Sequence, residues 1–253
     1  MARLEPGSDT SPSIPSSKQW MHSSFWQKLR CKTLQRLTYH HRISFAKEAP
    51  RDLIQSVRPI VHQAIASAQV VLPIETNVLL TVAPDLREWV PRYMHGSTGW
   101  TPDSQHVHIG INTETRGRQE SLKSVVAHEL NHTVRHHRMG TQRGQLTMRD
   151  TIAFDGLAQC FETEVCGKRP PYAASLSAQQ ARKTWKLIED NLNSLDEDLY
   201  RRIFFARNDK EVPTWAGYRI SFMIVSRMRK RSRLGWNELM GLSSEEIVGS
   251  GIS

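Results

Sequence analysis

The 253-residue sequence predicts an α+β domain with a small sheet and a mostly helical C-terminal half. After one segment at helical spacing come two short segments with strand character, and a series of further segments with apolar residues at helical spacing follows. Strands grouped ahead of most of the helices, instead of alternating with them, favour an α+β domain. A hydrophobic content of 38% is sufficient for one sizeable core.

Patterned structure is expected to begin near Arg51. Residues 51–72, RDLIQSVRPIVHQAIASAQVVL, repeat apolar side chains at helical spacing, and TNVLLTVA, 76–83, predicts a buried strand that ends at Pro84. A loop rich in Pro and Gly that contains Trp89, Tyr93 and Trp100 is expected next. HVHIGINT, 106–113, then alternates like a half-buried strand.

The second half is predicted to be helical. The stretch SVVAHELNHTVRHH, 124–137, lies in a helix expected from Glu120 to about His137 and ended by Gly140. Four further helices are predicted from periodicity. They are MRDTIAFDGLAQCFETEV (148–165), SAQQARKTWKLIEDNL (177–192), DEDLYRRIFFAR (196–207) and TWAGYRISFMIVSRMRKR (214–231).

The charge of +9 is concentrated at the N-terminus, because residues 1–50 hold eight Lys or Arg against three Asp or Glu. We expect 1–50 to be a basic, partly disordered extension and 51–253 to be the folded domain. Within the extension, 1–18 are rich in Ser and Pro, while 24–41 have the pattern of a short basic amphipathic helix. A second basic run, 227–233, is either a solvated helix end or a patch for polyanions or membrane surfaces.

Composition also restricts the class of protein. No apolar run is long enough to span a bilayer, and the first residues lack the apolar core of a secretory signal. Three cysteines form no paired framework, which fits a reducing compartment. These features predict a soluble, cytoplasmic protein, and nucleic-acid binding through the basic ends is a less favoured alternative because the charge is not spread over the fold.

The residues His128-Glu129-Leu130-Asn131-His132 form an HExxH motif. On a helix, positions i and i+4 share one face, so His128 and His132 are placed to bind one zinc ion while Glu129 handles protons. The alternative is a helix with surface histidines. We favour the metal site because an apolar face anchors this helix, with no Pro or Gly before Gly140.

A catalytic zinc normally takes three protein ligands, so a third is required. The extended HExxHxxGxxH pattern fails, since Arg135 and Arg138 occupy its Gly and His positions. His136 is eight residues from His128, a Cα separation of about 12 Å that spoils tetrahedral geometry, so we expect His136 and His137 to be solvated or to support the ligands without binding the metal. A carboxylate of the next helix remains, and the candidates are Asp155, Glu162 and Glu164.

The run HELNH, with the later segments TIAFDGLAQCFETEV and VPTWAGYRISFMIV, resembles a bacterial family of predicted zinc-dependent proteases of the gluzincin kind. The resemblance covers about residues 55–250. It implies a zincin-like metallopeptidase fold and a third ligand at the acidic residue before Gly156. Here that residue is Asp155, where the family pattern has Glu, so the side chain is shorter by one methylene.

Two polar residues follow Asp155 on the same face of its helix. Gln159 and Glu162 are expected to support the ligands by hydrogen bonds, to supply a replacement ligand in the case of Glu162, or to form an ordinary polar face. Gly156 is expected to let this helix approach the HExxH helix closely.

Together these features predict a zinc-dependent hydrolase, with peptide or protein substrates implied by the resemblance. Glu129 is the expected general base, and Tyr218 is a candidate donor to the oxyanion or an ordinary core aromatic. The strand HVHIGIN is the expected edge strand for an extended peptide, with His106 and His108 exposed or in contact with substrate. The alternative function is a non-catalytic, metal-containing interaction or regulatory protein, for which Asp155 is the best argument.

Overall fold

The computed structural model describes residues 40–115, 117–207 and 209–252. The segment 1–18 and nearly all of the predicted amphipathic helix 24–41 lie outside these ranges, so both remain predictions. The described residues form a four-stranded sheet and nine α-helices, which is an α+β fold. None of these helices combines the length and apolar character that crossing a membrane requires.

The sheet has the strand order β1-β2-β4-β3. Strands β1, β2 and β4 are parallel, and β3 runs antiparallel to β4. Their bounds are β1 Arg42–Phe45, β2 Leu79–Pro84, β3 Ser97–Trp100 and β4 His106–Ile111. The two strands predicted from sequence, β2 and β4, are confirmed, and both carry fully buried residues such as Leu80 and Ile109.

Two strands were not predicted. Among the described residues, β1 at Arg42–Phe45 already lies before the start expected near Arg51, and it pairs in register with β2, Ile43 opposite Leu80. The segment expected to be a loop through Trp89 and Trp100 contains a short helix, 89–94, and strand β3. Each of these elements has four to six residues, which is too short for a periodic pattern to be recognised, and pairing with a neighbour stabilises the strands.

The expectation that HVHIGIN is an edge strand is wrong. Strand β4 is hydrogen-bonded to β2 on one side and to β3 on the other, so its backbone groups are used within the sheet. The edge next to the HExxH helix is β3. A strand presents free backbone groups to a peptide only on an unpaired side.

The helices follow the predicted order. The six predicted helices are confirmed, and two more, α8 and α9, complete the C-terminal region. The bounds are α1 Arg51–Val71, α2 Trp89–Met94, α3 Arg118–Met139, α4 Met148–Cys166, α5 Ala178–Glu189, α6 Glu197–Phe205, α7 Ala216–Ser232, α8 Trp236–Gly241 and α9 Ser244–Ile252. Helix α3 ends at Gly140, whose φ of 61° is the left-handed conformation that glycine adopts without strain.

Helix α4 lies at the centre of the helical half. It packs against α3 on one side and against α7 on the other, while α1 covers α3. Gly156 allows close approach to α7, not to α3 as expected: a Cβ there would lie 2.4 Å from Val225 Cγ2 and 2.5 Å from the carbonyl oxygen of Ser221. The α3–α4 contact therefore places the HExxH residues beside the acidic face of α4 without needing that glycine.

Candidate active site

The HExxH residues lie on the buried side of α3. His128, Glu129 and His132 are each no more than 6% exposed. The Nε2 atoms of the two histidines are 3.1 Å apart, which the one-turn spacing allows. Two imidazole nitrogens therefore point at a common position, and the alternative of surface histidines is excluded by their burial.

Helix α4 contributes a third group to this position. Asp155 Oδ1 lies 3.6 Å from His128 Nε2 and 3.6 Å from His132 Nε2. Tetrahedral zinc with bonds of about 2.0–2.2 Å separates its ligand atoms by roughly 3.3–3.5 Å, so this triangle fits that ion closely. His128, His132 and Asp155 form a group of side chains able to hold a metal. Two imidazoles and one carboxylate are also a donor set that catalytic zinc sites use.

Glu162 lies behind His128, on the side away from the triangle. Its Oε2 accepts a hydrogen bond from His128 Nδ1 at 3.0 Å and another from the Tyr172 hydroxyl at 2.6 Å. The Ser124 hydroxyl donates to Oε1. A carboxylate on Nδ1 places the imidazole proton there and leaves Nε2 free to bind a metal. The arrangement favours the supporting role for Glu162 over the replacement-ligand role.

The electrostatics of the group favour a positive charge at its centre. Burial disfavours the imidazolium form of His128, but Asp155 and Glu162 outweigh it and raise its pKa to about 10. Burial also opposes ionisation of Asp155, yet the two neighbouring imidazoles hold its pKa well below the ordinary range. A divalent cation would supply the same stabilisation to the carboxylates while taking the place of the proton on His128.

Glu129 is held by the loop residue that follows β3. The Thr101 hydroxyl donates to Glu129 Oε2 at 2.7 Å, which leaves Oε1 without this bond. Strand β3 passes very close to the carboxylate: a Cβ at Gly99 would lie 2.4 Å from Oε1 and from Cγ of Glu129. The absence of a side chain at residue 99 therefore lets Glu129 occupy its position beside the two histidines.

The other histidines named in the sequence analysis, and Gln159, lie outside the group formed by His128, His132 and Asp155. His136 is 2% exposed and packs its ring 4.9 Å from that of Phe154, so it is not solvated, whereas His137 is exposed. His106 and His108 are both exposed on β4, and His108 stacks on Trp100 at 5.2 Å. The Gln159 side chain is fully buried, with no hydrogen-bond partner for its amide among the described residues.

A cleft of about 1050 Å³ opens onto the histidines and acids. Tyr218, on α7, lines it and contacts the rings of Tyr172 and Trp215 at 5.4 and 5.6 Å; burial raises the pKa of its hydroxyl well above the ordinary value. Three of the five large hydrophobic side chains that are exposed in the described chain also line this cleft. They are Trp100, Leu195 and Phe205. The cleft therefore joins a polar centre to an apolar rim.

Sequence reasoning missed several residues of the site. Thr101 contacts Glu129, Tyr172 contacts Glu162 and Arg143 lines the cleft, and all three lie in loops or short turns, where periodicity gives no signal. Arg143 lines the cleft and donates to the Tyr200 hydroxyl at 2.5 Å. Burial disfavours its charge, but Tyr200 and Asp155 outweigh burial and hold its pKa above the ordinary value.

Comparison with known proteins agrees with this chemistry. Residues 59–249 match the model of a family described as predicted Zn-dependent proteases. The searches of curated proteins and of solved structures gave no significant match. Because the match extends over more than half of the sequence, the chain belongs to the family of predicted Zn-dependent proteases.

Proposed function

We propose that the protein is a zinc-dependent peptidase with a zincin-like active site. The observation that carries the proposal is the triangle of His128, His132 and Asp155, with the Glu129 carboxylate beside it and a large cleft in front. A purely structural zinc site normally has four protein ligands, whereas three leave a position open for chemistry. The family supports the same class of reaction.

His128 and His132 would bind zinc through Nε2, and Asp155 through Oδ1. Zinc bound by such a set supplies an activated water and polarises a substrate carbonyl. The hydrogen bond from His128 Nδ1 to Glu162 fixes the ring orientation that this requires. The 3.6 Å separations of Asp155 Oδ1 from both Nε2 atoms indicate that the shorter acid reaches the site in this chain.

Glu129 would act as the general base. The Thr101 hydroxyl occupies Oε2, so Oε1 would accept the proton of the attacking water. The protonated carboxyl of Glu129 would then donate this proton to the leaving amine nitrogen. Tyr218 lines the same cleft, and we assign its hydroxyl as the donor to the oxyanion that forms at the carbonyl.

Strand β3 is the proposed site for the substrate backbone. One side of β3 pairs with β4, and the other side has no strand partner within the described sheet. A peptide that adds to this side lies next to Gly99 and therefore next to Glu129. This replaces the role that sequence analysis gave to β4.

The test combines metal analysis with turnover. We expect one zinc per chain, cleavage of a quenched fluorescent peptide library, and loss of cleavage after chelation that added zinc reverses. Glu129→Gln should keep zinc and lose turnover by at least about a hundredfold, because the base is gone but the ligands remain. Glu189→Gln, at an exposed position of α5, is the matched control.

Zinc binding without any cleavage would favour the second candidate, a metal-containing interaction or regulatory protein. The departure from the family pattern at Asp155 is the observation on which that candidate rests. Undiminished turnover by Glu129→Gln would instead show that another group takes the proton.

A further inference from the structure

Arg143 is fixed at the wall of the cleft by its backbone. It begins a short 3-10 turn after α3, and its N–H donates to the carbonyl of Pro102 at 3.0 Å. Pro102 follows Thr101, the residue whose hydroxyl holds Glu129. The loop that carries Arg143 is therefore tied directly to the segment that positions the proposed base.

The guanidinium of Arg143 has an aromatic partner but no acidic one. Its Nη2 donates to the Tyr200 hydroxyl, and its Cζ lies 5.6 Å from the centre of that ring. Among the described residues, no carboxylate oxygen lies within 4.0 Å of its nitrogens. Three other arginines of the cleft each have such a partner: Arg87 pairs with Asp85, Arg201 with Glu197, and Arg202 with Asp209 and Glu211.

The guanidinium keeps its charge in the cleft, because Tyr200 and the more distant Asp155 outweigh burial, yet no carboxylate of the described residues pairs directly with its N–H groups. A guanidinium also presents its donors as a planar fork that matches a carboxylate in a bidentate arrangement. Arg143 lines the same cleft as Glu129 and Asp155, and Tyr200 limits the conformations of its side chain. These features are typical of a group that receives an anion from a ligand.

We propose that Arg143, positioned by Tyr200, binds a carboxylate of the substrate. The carboxylate comes from the C-terminus of a peptide or from an acidic side chain near the cleaved bond. The inference rests on the proposed peptidase function for the identity of the ligand as a peptide. It makes Arg143 a specificity-determining residue, and a C-terminal carboxylate would make the enzyme an exopeptidase.

Binding is measured first, so that the test does not depend on turnover. The zinc-loaded Glu129→Gln protein is titrated with three dansylated tripeptides of apolar residues: one with a free C-terminus, one with a C-terminal amide, and one amide that ends in aspartate. We expect one or both carboxylate peptides to bind about 10- to 100-fold tighter than the neutral amide. Whichever carboxylate peptide binds more tightly shows whether the recognised carboxylate is the C-terminus or an acidic side chain.

Arg143→Gln in the same background should remove this preference, and Arg143→Lys should restore part of it as a point charge. Tyr200→Phe should reduce it by a smaller factor, because the ring remains but the hydroxyl is lost. Arg182→Gln, an exposed position of α5, removes the same charge outside the cleft and should leave the preference unchanged. Zinc content and circular dichroism establish that each variant is folded.

Equal binding of the three peptides, including no measurable binding of any, would overturn the inference. So would a preference that persists in folded Arg143→Gln. The peptidase proposal is judged separately by turnover of the protein with Glu129 intact. If the protein discriminates between the peptides but cleaves none, the Arg143 assignment is retained and the peptidase function is rejected. If it cleaves peptides but does not discriminate between them, the peptidase function is retained and the Arg143 assignment is rejected.

Discussion

Glu162 Oε2 lies 3.0 Å from His128 Nδ1, on the opposite side of the ring from Asp155. The two acids of α4 therefore have different roles. Asp155 points at His128 Nε2, the nitrogen that would bind the metal, and Glu162 orients the ring through Nδ1. Glu162 is seven residues after Asp155, which on an α-helix returns to the same face two turns later. One face of α4 therefore supplies both the proposed ligand Asp155 and the carboxylate that orients His128.

Removal of the Glu162 charge should weaken zinc binding. We expect Glu162→Gln to reduce zinc affinity by about 10- to 100-fold, because the Nδ1 proton of His128 loses its carboxylate acceptor. Tyr172→Phe should have a smaller effect, since it removes one hydrogen bond to that carboxylate. Chelator competition measures the affinity. Glu164→Gln, on the exposed side of α4, is the control, and an unchanged affinity in Glu162→Gln would argue against the orienting role.

The ligand assignment is tested by comparing Asp155→Ala with Glu162→Ala. The first removes an oxygen that lies 3.6 Å from both Nε2 atoms and should abolish stoichiometric zinc binding. The second should leave zinc bound, although more weakly. Elemental analysis of the purified variants gives the result. A reversed order would identify Glu162 as the ligand and reject the role that the family resemblance implies for Asp155.

A methyl group at Gly99 should affect catalysis rather than metal binding. The Gly99→Ala Cβ would lie 2.4 Å from Glu129 Cγ, so the Glu129 side chain or β3 must move. A displacement of about 1 Å at a catalytic group costs roughly a hundredfold in rate, and we expect a loss of kcat of that order with unchanged zinc content. Gly241→Ala is the control, because no atom lies within 4 Å of its added Cβ. Full activity of Gly99→Ala would contradict the role of this contact.

His136 should make the metal-free protein sensitive to acid. Burial and the neighbouring His132 lower its pKa to about 4, below the value of about 6.5 expected in the unfolded chain. Its contribution to stability is therefore present above pH 6.5 and is lost as the pH falls towards 4. Linkage gives a loss of about 2 kcal/mol between pH 7 and pH 5.

Urea unfolding of the chelator-treated protein at these two pH values measures that loss. His136→Gln should show a smaller decrease than the unmodified chain, because it has no imidazole to protonate. His137→Gln, at an exposed position one residue later, should behave like the unmodified chain. Equal decreases in all three proteins would mean that other groups dominate the acid response.

The N-terminal boundary can be located by two truncations. Removal of residues 1–39 should leave a folded protein that binds zinc. Removal of residues 1–46 also deletes β1, whose Ile43 and Phe45 pack against the core, and should lower Tm by at least about 5 °C. Equal melting temperatures would show that β1 contributes little. An insoluble shorter truncation would instead place part of the domain before residue 40.

Local pattern in the sequence determined the helices and the centre of the site. Apolar residues at helical spacing predict α1 and α3 to α7, and the i, i+4 spacing of His128 and His132 requires only a helix to bring their rings together. The choice of Asp155 among three acids came from the family resemblance, and its geometry now supports that choice. Periodicity gave no indication of β1 and β3, because a four-residue strand depends on its partner.

Tertiary structure decided the relationships between segments that are distant along the chain. The strand order makes β3 the edge beside Glu129, and Thr101 reaches that carboxylate across 28 residues. Arg143 and Tyr200, which are 57 residues apart, meet at the wall of the cleft. Such contacts depend on strand pairing and helix packing, whose free energies arise from many residues at once, so no single segment encodes them. A helix face, in contrast, is set by residues three and four positions apart, and the sequence by itself specifies it.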